Sequence, residues 1–271
     1  MIRSWLFALQ WFLEPIWLGG ALRIGRFLSV SSHRESDESL RVLVHIANYN
    51  SENWIQAAIQ SVLNQTYQNW GLLVIDDRSS DKSPQLVKEF ALGDERIRLV
   101  QMGHNSGTAM VHNRALAIFL EEQEWDAFCI LDCDDVALPD WLSCGVGALQ
   151  SGAIGLRPIL SRYDESLIQK KWDYVGCNQT LWARKVIRVL GFYRMKPHMY
   201  DHDFMERAKR YAVLNGEYLV QSNAPLQKMR MRGDNQSLQA KTGLELAAEK
   251  KSVDWARAAN RAEDLFVERD V

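Results

Sequence analysis

Two hydrophobic patterns alternate along the central part of the chain. Short apolar runs at 41–46, 72–75, 97–100 and 127–131 are typical of strands that are buried on both faces of a sheet. Between these runs, apolar residues recur at three- and four-residue steps, as on one face of a helix. Strands that alternate with helices predict an α/β fold with a mostly parallel sheet and right-handed crossovers.

Helix-start signals support this alternation. The first helical segment, over residues 54–63, follows Ser51, whose side chain is of a type that caps helices. Asp81 or Ser83 is expected to cap the second helix. A third helix is expected over residues 109–120 and leads into the last apolar run.

Polar residues follow each predicted strand. They are Asn48, Tyr49, Asn50, Asp76, Asp77, Asn105 and the acids of segment 132–135. In an open parallel sheet the ligand lies at the carboxyl ends of the strands, so we expect these residues to line one site. Their shared position is a stronger signal than any single acid pair.

Three carboxylates lie directly after the fourth apolar run. Alternate side chains of an extended chain share a face, so Asp132 and Asp134 are expected to point the same way, with Asp135 beside them. Two such carboxylates repel each other unless a cation lies between them. Their hard oxygens suit Mg²⁺ or Mn²⁺, which would in turn hold a diphosphate. A loop with solvated acids is the alternative.

Patterns are weaker after residue 140. A helix is predicted over 180–190, ended by Gly191, and a second helix opens at Asp201 and Asp203. Acids at a helix start also occur for electrostatic reasons alone, because they favour the positive end of the helix dipole. Residues 241–271 are charged and alanine-rich, which favours a helical tail that packs on the domain or mediates self-association.

The first 40 residues differ from the rest. Apolar residues at helical spacing, three tryptophans and several arginines make an amphipathic segment over residues 1–28. Glu14 and Pro15 interrupt it, so it falls short of the roughly 20 apolar residues that span a bilayer. It is expected either to lie on a membrane surface or to pack on the domain or a second subunit, as in a homo-oligomer. The serine-rich stretch 29–39 is expected to be a linker.

Composition narrows the class and the compartment. The chain has 271 residues, of which 47% are hydrophobic and 24% charged, enough for a real core. A formal net charge of −2 gives no broad attraction to nucleic acid. The four cysteines have no CxxC spacing, which argues against disulfide or zinc frameworks. We therefore expect a cytoplasmic protein, at most peripheral at the inner face of the membrane.

Five short motifs occur in order along the chain. They are Y-N-S-E at 49–52, S-V-L-N-Q-T-Y at 61–67, I-D-D-R-S-S-D at 75–81, N-S-G at 105–107 and L-D-C-D-D at 131–135, followed by Pro139. Over residues 42–238 the chain resembles a family 2 glycosyltransferase with the GT-A fold. The resemblance implies inverting sugar transfer from a nucleotide-sugar, usually a UDP-sugar, to a saccharide or lipid-linked acceptor, with Mn²⁺ or Mg²⁺.

The resemblance also implies residue roles. Asp77 would hydrogen-bond the uracil, and the base and ribose pocket would contain Asn48, Tyr49, Asn50, Glu52 and, at a neighbouring strand end, Asn105. Asp132 would contact ribose or sugar, while Asp134 and Asp135 would bind the metal. His112 stands where relatives often carry an arginine that reaches the nucleotide, so it is a candidate nucleotide contact, with a helix-face histidine that has no ligand role as the alternative. Arg232 would contact phosphate, although this loop lacks the histidine that is common in relatives.

The resemblance places the catalytic base in the second half. Relatives carry a Glu-Asp pair with the Asp six residues before an arginine, and counting back from Arg207 gives Asp201. Tyr200 replaces the usual glutamate, and Asp203 is the reserve candidate. The base would take the proton of the acceptor hydroxyl as it attacks.

These patterns divide the chain into three parts. Residues 1–40 are the amphipathic segment and linker, 41–240 a GT-A domain with its nucleotide half ending near 140, and 241–271 the tail. Because His112 and Tyr200 depart from the family pattern, a catalytically silent sugar-nucleotide or partner-binding module is the alternative. A nucleotidyltransferase would need a glycine-rich, lysine-bearing loop after the first strand, and 48–53 has none.

Overall fold

The computed structural model describes residues 39–194 and 200–231. The predicted amphipathic segment 1–28, nearly all of the linker, the helical tail and the phosphate-binding candidate Arg232 lie outside these residues. The acid cluster and both candidate bases lie within them.

Strands and helices alternate strictly through the nucleotide half. They are β1 (Val42–Asn48), α1 (Ile55–Leu63), β2 (Trp70–Asp76), α2 (Ser83–Gly93), β3 (Ile97–Gln101), α3 (Thr108–Glu121) and β4 (Ala127–Ile130). The four strands are parallel and lie in the order β3-β2-β1-β4. The predicted α/β alternation is confirmed, and the carboxyl ends of all four strands meet at one edge.

The second half extends the same sheet with mixed pairing. Its elements are β5 (Val136–Ala137), α4 (Trp141–Gln150), β6 (Gly155–Tyr163), β7 (Lys170–Val175), β8 (Leu181–Ala183), α5 (Arg184–Leu190), α6 (Tyr200–Asn215) and β9 (Val220–Arg230). The sheet continues as β4-β8-β6-β9-β5, and β7 pairs with β6. β6 and β9 are parallel, whereas the pairs of β8, β7 and β5 are antiparallel. The acceptor half therefore joins the sheet at the edge of β4 that β1 leaves open, through pairing with β8.

One predicted helix begins later than its sequence suggests. The segment expected to be helical from Thr180 forms strand β8 first and becomes helical only at Arg184. Residues Trp182 and Ala183 pair with Phe128 and Ala127 of β4. The unpaired edge of β4 would otherwise leave buried backbone groups without partners, and that requirement overrides the local helical pattern.

The start of α1 also differs from expectation. Ser51 does not cap the helix with its hydroxyl, which instead donates to Oδ1 of Asn48. Its backbone carbonyl accepts from the amides of Trp54 and Ile55, both at 2.9 Å. The Asp81 carboxylate accepts from the amide of Ser83 at 3.0 Å, one residue before the N-cap of α2.

The core lies on both faces of the sheet. Val42, Val44 and Ile46 of β1 pack with α1, α2 and α4 on one face. Leu43 packs with α3, α5 and α6 on the other face, which His45 also faces because strand side chains alternate. This explains why the strand sequences are continuously apolar. Each buried aliphatic side chain contributes about 1.5–3 kcal/mol relative to an exposed one.

Candidate active site

Asn48 connects the ends of two strands to a helix. It is opposite Asp76 in the β1–β2 register, and its Nδ2 donates to Oδ1 of Asp76 at 2.7 Å and to Oγ of Ser83 at 2.9 Å. Its Oδ1 accepts from the Ser51 hydroxyl. Since both polar atoms of this buried side chain are engaged, Asn48 fixes the shape of the strand edge.

The loop after β1 is held by the loop after β2. Asn50 has a positive φ of 48°, and its Oδ1 accepts from the amide of Ser80 at 2.8 Å. Glu52 accepts from the amide of Lys82 at 3.0 Å through Oε2. Tyr49, which precedes Asn50 in this loop, is 52% exposed. The loop therefore presents an aromatic ring to solvent on a rigid support.

Asp77 is buried at the end of β2 and organises the start of α3. Its Oδ1 accepts from the amide of Ser106 at 2.7 Å, and its Oδ2 accepts from the amide of Gly107 at 2.8 Å. Gly107 has a φ of +84°, a conformation that side chains disfavour. Asn105 lies exposed beside this turn. The geometry brings the 105–107 turn against β2, as the strand-end prediction requires.

The three acids after β4 form one tight turn. The amide of Asp135 donates to the carbonyl of Asp132 at 3.0 Å, and Asp134 and Asp135 are both buried. Arg230 of β9 holds this turn from the side, donating from its amide to Oδ1 of Asp135 and from Nε to the carbonyl of Asp134, both at 2.9 Å. Two distant strands therefore fix the acids.

Burial and mutual repulsion perturb these acids. Burial, then the charge of Asp134 and a smaller contribution from Asp201, raises the pKa of Asp132 to about 7, against the hydrogen bond from Gln179. Burial and then the charges of Asp132 and Asp134 raise the pKa of Asp135 well above its usual range. Ionising Asp132 and Asp135 together is therefore unfavourable unless a nearby cation compensates their charge.

A divalent cation fits this cluster. Oδ2 of Asp135 is buried and has no hydrogen-bond partner among the described residues. An unpartnered, buried carboxylate oxygen is costly unless a proton or a cation compensates it. Hard carboxylate oxygens that follow one another in a turn suit Mg²⁺ or Mn²⁺. Asp134 and Asp135 are the residues that would hold such an ion.

Asp201 lies in the first turn of α6, within electrostatic range of the acid cluster. Burial raises the pKa of Asp132 and that of the Tyr193 hydroxyl, and the charge of Asp201 raises both further, so Asp201 lies near both groups. Ligand atoms of Cys177, Asp201 and His202 all lie within 4.8 Å of one another. Asp201 is half-buried, so part of this residue is exposed to solvent.

Asp203 has a different environment, although it lies only two residues further on. It is 3% exposed, and its Oδ2 is 2.9 Å from Nε of Arg207. Its Oδ1 accepts from Arg194 at 3.4 Å. Arg207 also donates to the carbonyls of Leu190 and Phe192, at 2.6 and 2.8 Å. Asp203 and Arg207 thus connect α6 to the end of α5.

The structure brings in three residues that the sequence did not indicate, Gln179, His45 and Asn178, the last two through the candidate His112. Gln179 donates to Oδ2 of Asp132 at 2.8 Å. His112 is fully buried, with Nδ1 at 3.1 Å from Nε2 of His45 and Nε2 at 3.3 Å from Nδ2 of Asn178. His45 lies in the middle of an apolar strand, and Asn178 and Gln179 lie in a segment without periodicity, so no sequence signal marked them.

The residues that form this site lie within a match to a known protein family. The family model for Glycosyl transferase family 2 matches residues 43–214. This chain belongs to glycosyl transferase family 2. The match covers β1 through nearly all of α6, so it includes the strand-end loops, the acid cluster and both candidate bases.

Curated relatives of family 2 match part of the chain. One, "UDP-Glc:alpha-D-GlcNAc-diphosphoundecaprenol beta-1,3-glucosyltransferase WfgD" of Escherichia coli, is 39% identical over 108 residues, which are 40% of this chain and 40% of that protein. The chain spans about 40% or less of the length of the first curated relatives that it matches.

Solved structures similar to this family 2 chain share its fold. TarS of S. aureus in complex with UDP-GlcNAc superposes with a TM-score of 0.61 at 16% identity, covering 83% of this chain and 72% of that one. The mannosyltransferase PcManGT of Pyrobaculum calidifontis, in complex with GDP-Man and Mn²⁺, gives a TM-score of 0.58 at 14% identity, with coverages of 95% and 77%. The predicted GT-A fold is confirmed.

No helix in the part of the chain that the structure describes combines the length and the apolar character that crossing a bilayer requires.

Proposed function

We propose that this protein is an inverting glycosyltransferase that moves a sugar from a UDP-sugar to a hydroxyl of a saccharide or lipid-linked acceptor. One observation carries the proposal. Three carboxylates at the end of β4 share a turn in which Oδ2 of Asp135 is buried without a hydrogen-bond partner among the described residues, and the charge of Asp201, in the first turn of α6, acts on Asp132. Such a site binds a cation with a diphosphate on one side and leaves a carboxylate on the other.

The nucleotide would lie along the ends of β1 and β2. Asp77 accepts one backbone hydrogen bond on each oxygen, which leaves further lone pairs for the uracil. The exposed ring of Tyr49 provides a face for the base, with Asn50, Glu52 and Asn105 around it. Asn48 would act by shaping this edge, because its amide is fully engaged. Arg232 stays the proposed phosphate contact.

The metal would be held by Asp134 and Asp135, with Asp132 turned to the ribose or the sugar. When bound, Mn²⁺ or Mg²⁺ supplies charge stabilisation to the departing diphosphate. Arg230 keeps the backbone of Asp134 and the carboxylate of Asp135 in place through β9. Solved relatives with bound UDP-GlcNAc, or with GDP-Man and Mn²⁺, support a nucleotide-sugar donor.

Asp201 would be the general base. It takes the proton of the acceptor hydroxyl while that oxygen forms a bond to the anomeric carbon from the face opposite the diphosphate. The bond between the anomeric carbon and the phosphate oxygen breaks, and its electron pair leaves with UDP. A positioned base contributes about 10² to 10⁴ in rate. Asp203 is less suited, because both its oxygens contact arginines.

The test measures UDP release and product formation from a panel of UDP-sugars with Mn²⁺. The acceptors are simple saccharides and a GlcNAc-diphosphate lipid, which the WfgD relative suggests. GDP-mannose is the control donor. We expect transfer from at least one UDP-sugar, with inversion at the anomeric carbon seen by NMR. UDP binding without hydrolysis or transfer across the panel would instead indicate a silent binding module.

A further inference from the structure

A chain of hydrogen bonds crosses the core from the sheet to the site. It runs from the carbonyl of Leu73 through His45, His112 and Asn178 to the hydroxyl of Tyr193, with successive distances of 3.0, 3.1, 3.3 and 3.3 Å. Both histidines are fully buried. The site described above uses none of these groups directly, so their role needs a separate account.

The donors and acceptors along this series of hydrogen bonds can be assigned in one direction only. A carbonyl can only accept, so Nδ1 of His45 carries the proton that it donates to Leu73. Burial lowers the pKa of His45 to about 4 and that of His112 well below its usual value, so both rings are neutral at pH 7. Nε2 of His45 therefore accepts from Nδ1 of His112, and Nε2 of His112 accepts from the amide of Asn178.

Asn178 lies in a short turn that also contacts the proposed catalytic groups. The hydroxyl and the amide of Thr180 both donate to the carbonyl of Cys177, at 2.8 and 3.3 Å, and close the turn 177–180. Within it, Gln179 donates to Asp132. Cys177 has its sulfur within 4.8 Å of a carboxylate oxygen of Asp201. The turn 177–180 therefore contacts Asp132, which is proposed to meet the ribose or sugar, and lies close to Asp201, the proposed base.

We propose that His112 is a positioning residue for sugar transfer, holding the turn 177–180 through Asn178 so that Asp132 and Asp201 keep their relative placement. This rests on the proposed function. His112 stands where relatives often have an arginine that reaches the nucleotide. Here its ring is turned into the core towards His45. In the proposed role the same position acts on the acid cluster indirectly, through Asn178 and the turn 177–180.

Two substitutions distinguish the two hydrogen bonds of His112, one to His45 and one to Asn178. Asparagine can place its amide nitrogen where Nδ1 lies, so His112→Asn keeps the bond to His45 and opens a gap to Asn178. Glutamine reaches to the position of Nε2, so His112→Gln keeps an acceptor for Asn178 and loses the bond to His45. Both replace a buried ring by a smaller amide, which makes each the control for the other in stability.

We expect His112→Asn to lower kcat at least tenfold with the KM for the UDP-sugar changed less than threefold, because small misplacements of reacting groups are costly. For His112→Gln we expect a kcat within about threefold of the wild type and a Tm similar to that of His112→Asn. Equal losses in the two variants, or the reverse order, would overturn the proposal and leave His112 a packing residue.

Asn178→Asp provides a second measurement if neither variant folds, because Asn178 lies in a half-buried turn. The new carboxylate raises the pKa of His112, which is otherwise faced by His45 from β1, Tyr193 after α5 and Tyr200 from α6. Below that pKa the imidazolium donates to the carboxylate, and above it two acceptors face each other. Turnover should therefore fall with rising pH relative to the wild type. An unchanged pH profile would contradict the proposal.

Hydrogen exchange separates this inference from the proposed function. If the wild type transfers no sugar, the proposed function fails, but the positioning role still predicts faster amide exchange in turn 177–180 for His112→Asn than for His112→Gln. Identical exchange in the two variants would overturn the positioning role even in an active enzyme.

Discussion

Gln179 donates from Nε2 to Oδ2 of Asp132 at 2.8 Å, joining two residues that are 47 positions apart. This hydrogen bond lowers the pKa of Asp132, against burial and the charges of Asp134 and Asp201, which raise it to about 7. A side chain that the sequence did not mark therefore adjusts the protonation of a central acid of the site.

Gln179→Ala should shift the acidic limb of the pH–activity profile to higher pH. Without the donor, the pKa of Asp132 rises further above about 7, so less of the carboxylate is ionised at neutral pH. The measurement is kcat/KM for the UDP-sugar between pH 5.5 and 9, values chosen to bracket about 7. Gln123→Ala, a change at an exposed glutamine whose Nε2 donates to the carbonyl of Leu120, is the control. An unshifted limb in Gln179→Ala would contradict this role.

Asp135→Asn should stabilise the metal-free protein and remove its response to Mn²⁺. Burial and the charges of Asp132 and Asp134 raise the folded-state pKa of Asp135 above its unfolded value of about 3.9. The folded state then binds more protons, so the ionised acid costs stability as pH rises from about 4 towards neutral. Asparagine removes that cost.

Thermal unfolding at pH 7 with EDTA and with Mn²⁺ tests this pair of effects. Each 1 kcal/mol gained corresponds to a Tm increase of roughly 2–4 °C. We expect the variant to exceed the wild type in EDTA, with the difference shrinking at pH 4, and to gain nothing from Mn²⁺. Asp140→Asn, a change at an exposed residue, is the control. A variant less stable than the wild type in EDTA would refute the argument.

Asp134→Ala should abolish turnover while leaving the fold intact. Asp134 is proposed as a metal ligand, and its backbone carbonyl keeps the contact with Arg230 in the variant. Activity is measured across a Mn²⁺ titration, and folding by circular dichroism and thermal unfolding. Retained turnover at the wild-type metal concentration would refute the metal role of this residue.

Asp201→Asn and Asp203→Asn should fail in different ways. Asp201→Asn removes the proposed base and should lower kcat by about 10² to 10⁴ with UDP affinity and Tm near wild type. Asp203→Asn leaves the fully buried Arg207 without its carboxylate, which should cost about 3–5 kcal/mol of stability.

Urea unfolding and single-turnover transfer distinguish these outcomes. Each variant is the control for the other, since both replace an acid in the first turn of α6 by its amide. If Asp203→Asn were stable and inactive while Asp201→Asn kept full turnover, the assignment of the base would have to be exchanged.

Tyr49→Ala should weaken UDP binding without changing stability. The ring is 52% exposed, so its loss removes little buried area from the fold. Loss of an aromatic face for the base should raise the Kd for UDP about twofold to thirteenfold, from a contact of about 0.5–1.5 kcal/mol. Calorimetry with UDP and Mn²⁺ measures this. Leu92→Ala, a change at a residue 90% exposed on α2, is the control, and an unaltered Kd would exclude Tyr49 from the pocket.

Local sequence patterns predicted the nucleotide half well because there the hydrophobic pattern of each segment agrees with the helix or strand that it forms. A strand buried on both faces must be apolar throughout, as Val42–Asn48 nearly is, so the polar residues that follow its apolar run stand out in the sequence. The acceptor half follows non-local rules. Segment 180–190 has helical periodicity, yet Trp182 pairs with Phe128 because the edge of β4 needs a partner.

The sequence by itself determined the α/β order, the set of strand-end acids and the family resemblance, because these depend on residue type and spacing along a short stretch. Only the tertiary structure decided that Asp203 contacts arginines, that Gln179 reaches Asp132, and that His112 turns towards His45. Those contacts join residues far apart in the chain, and their donors, charges and burial exist only once the sheet has brought the segments together.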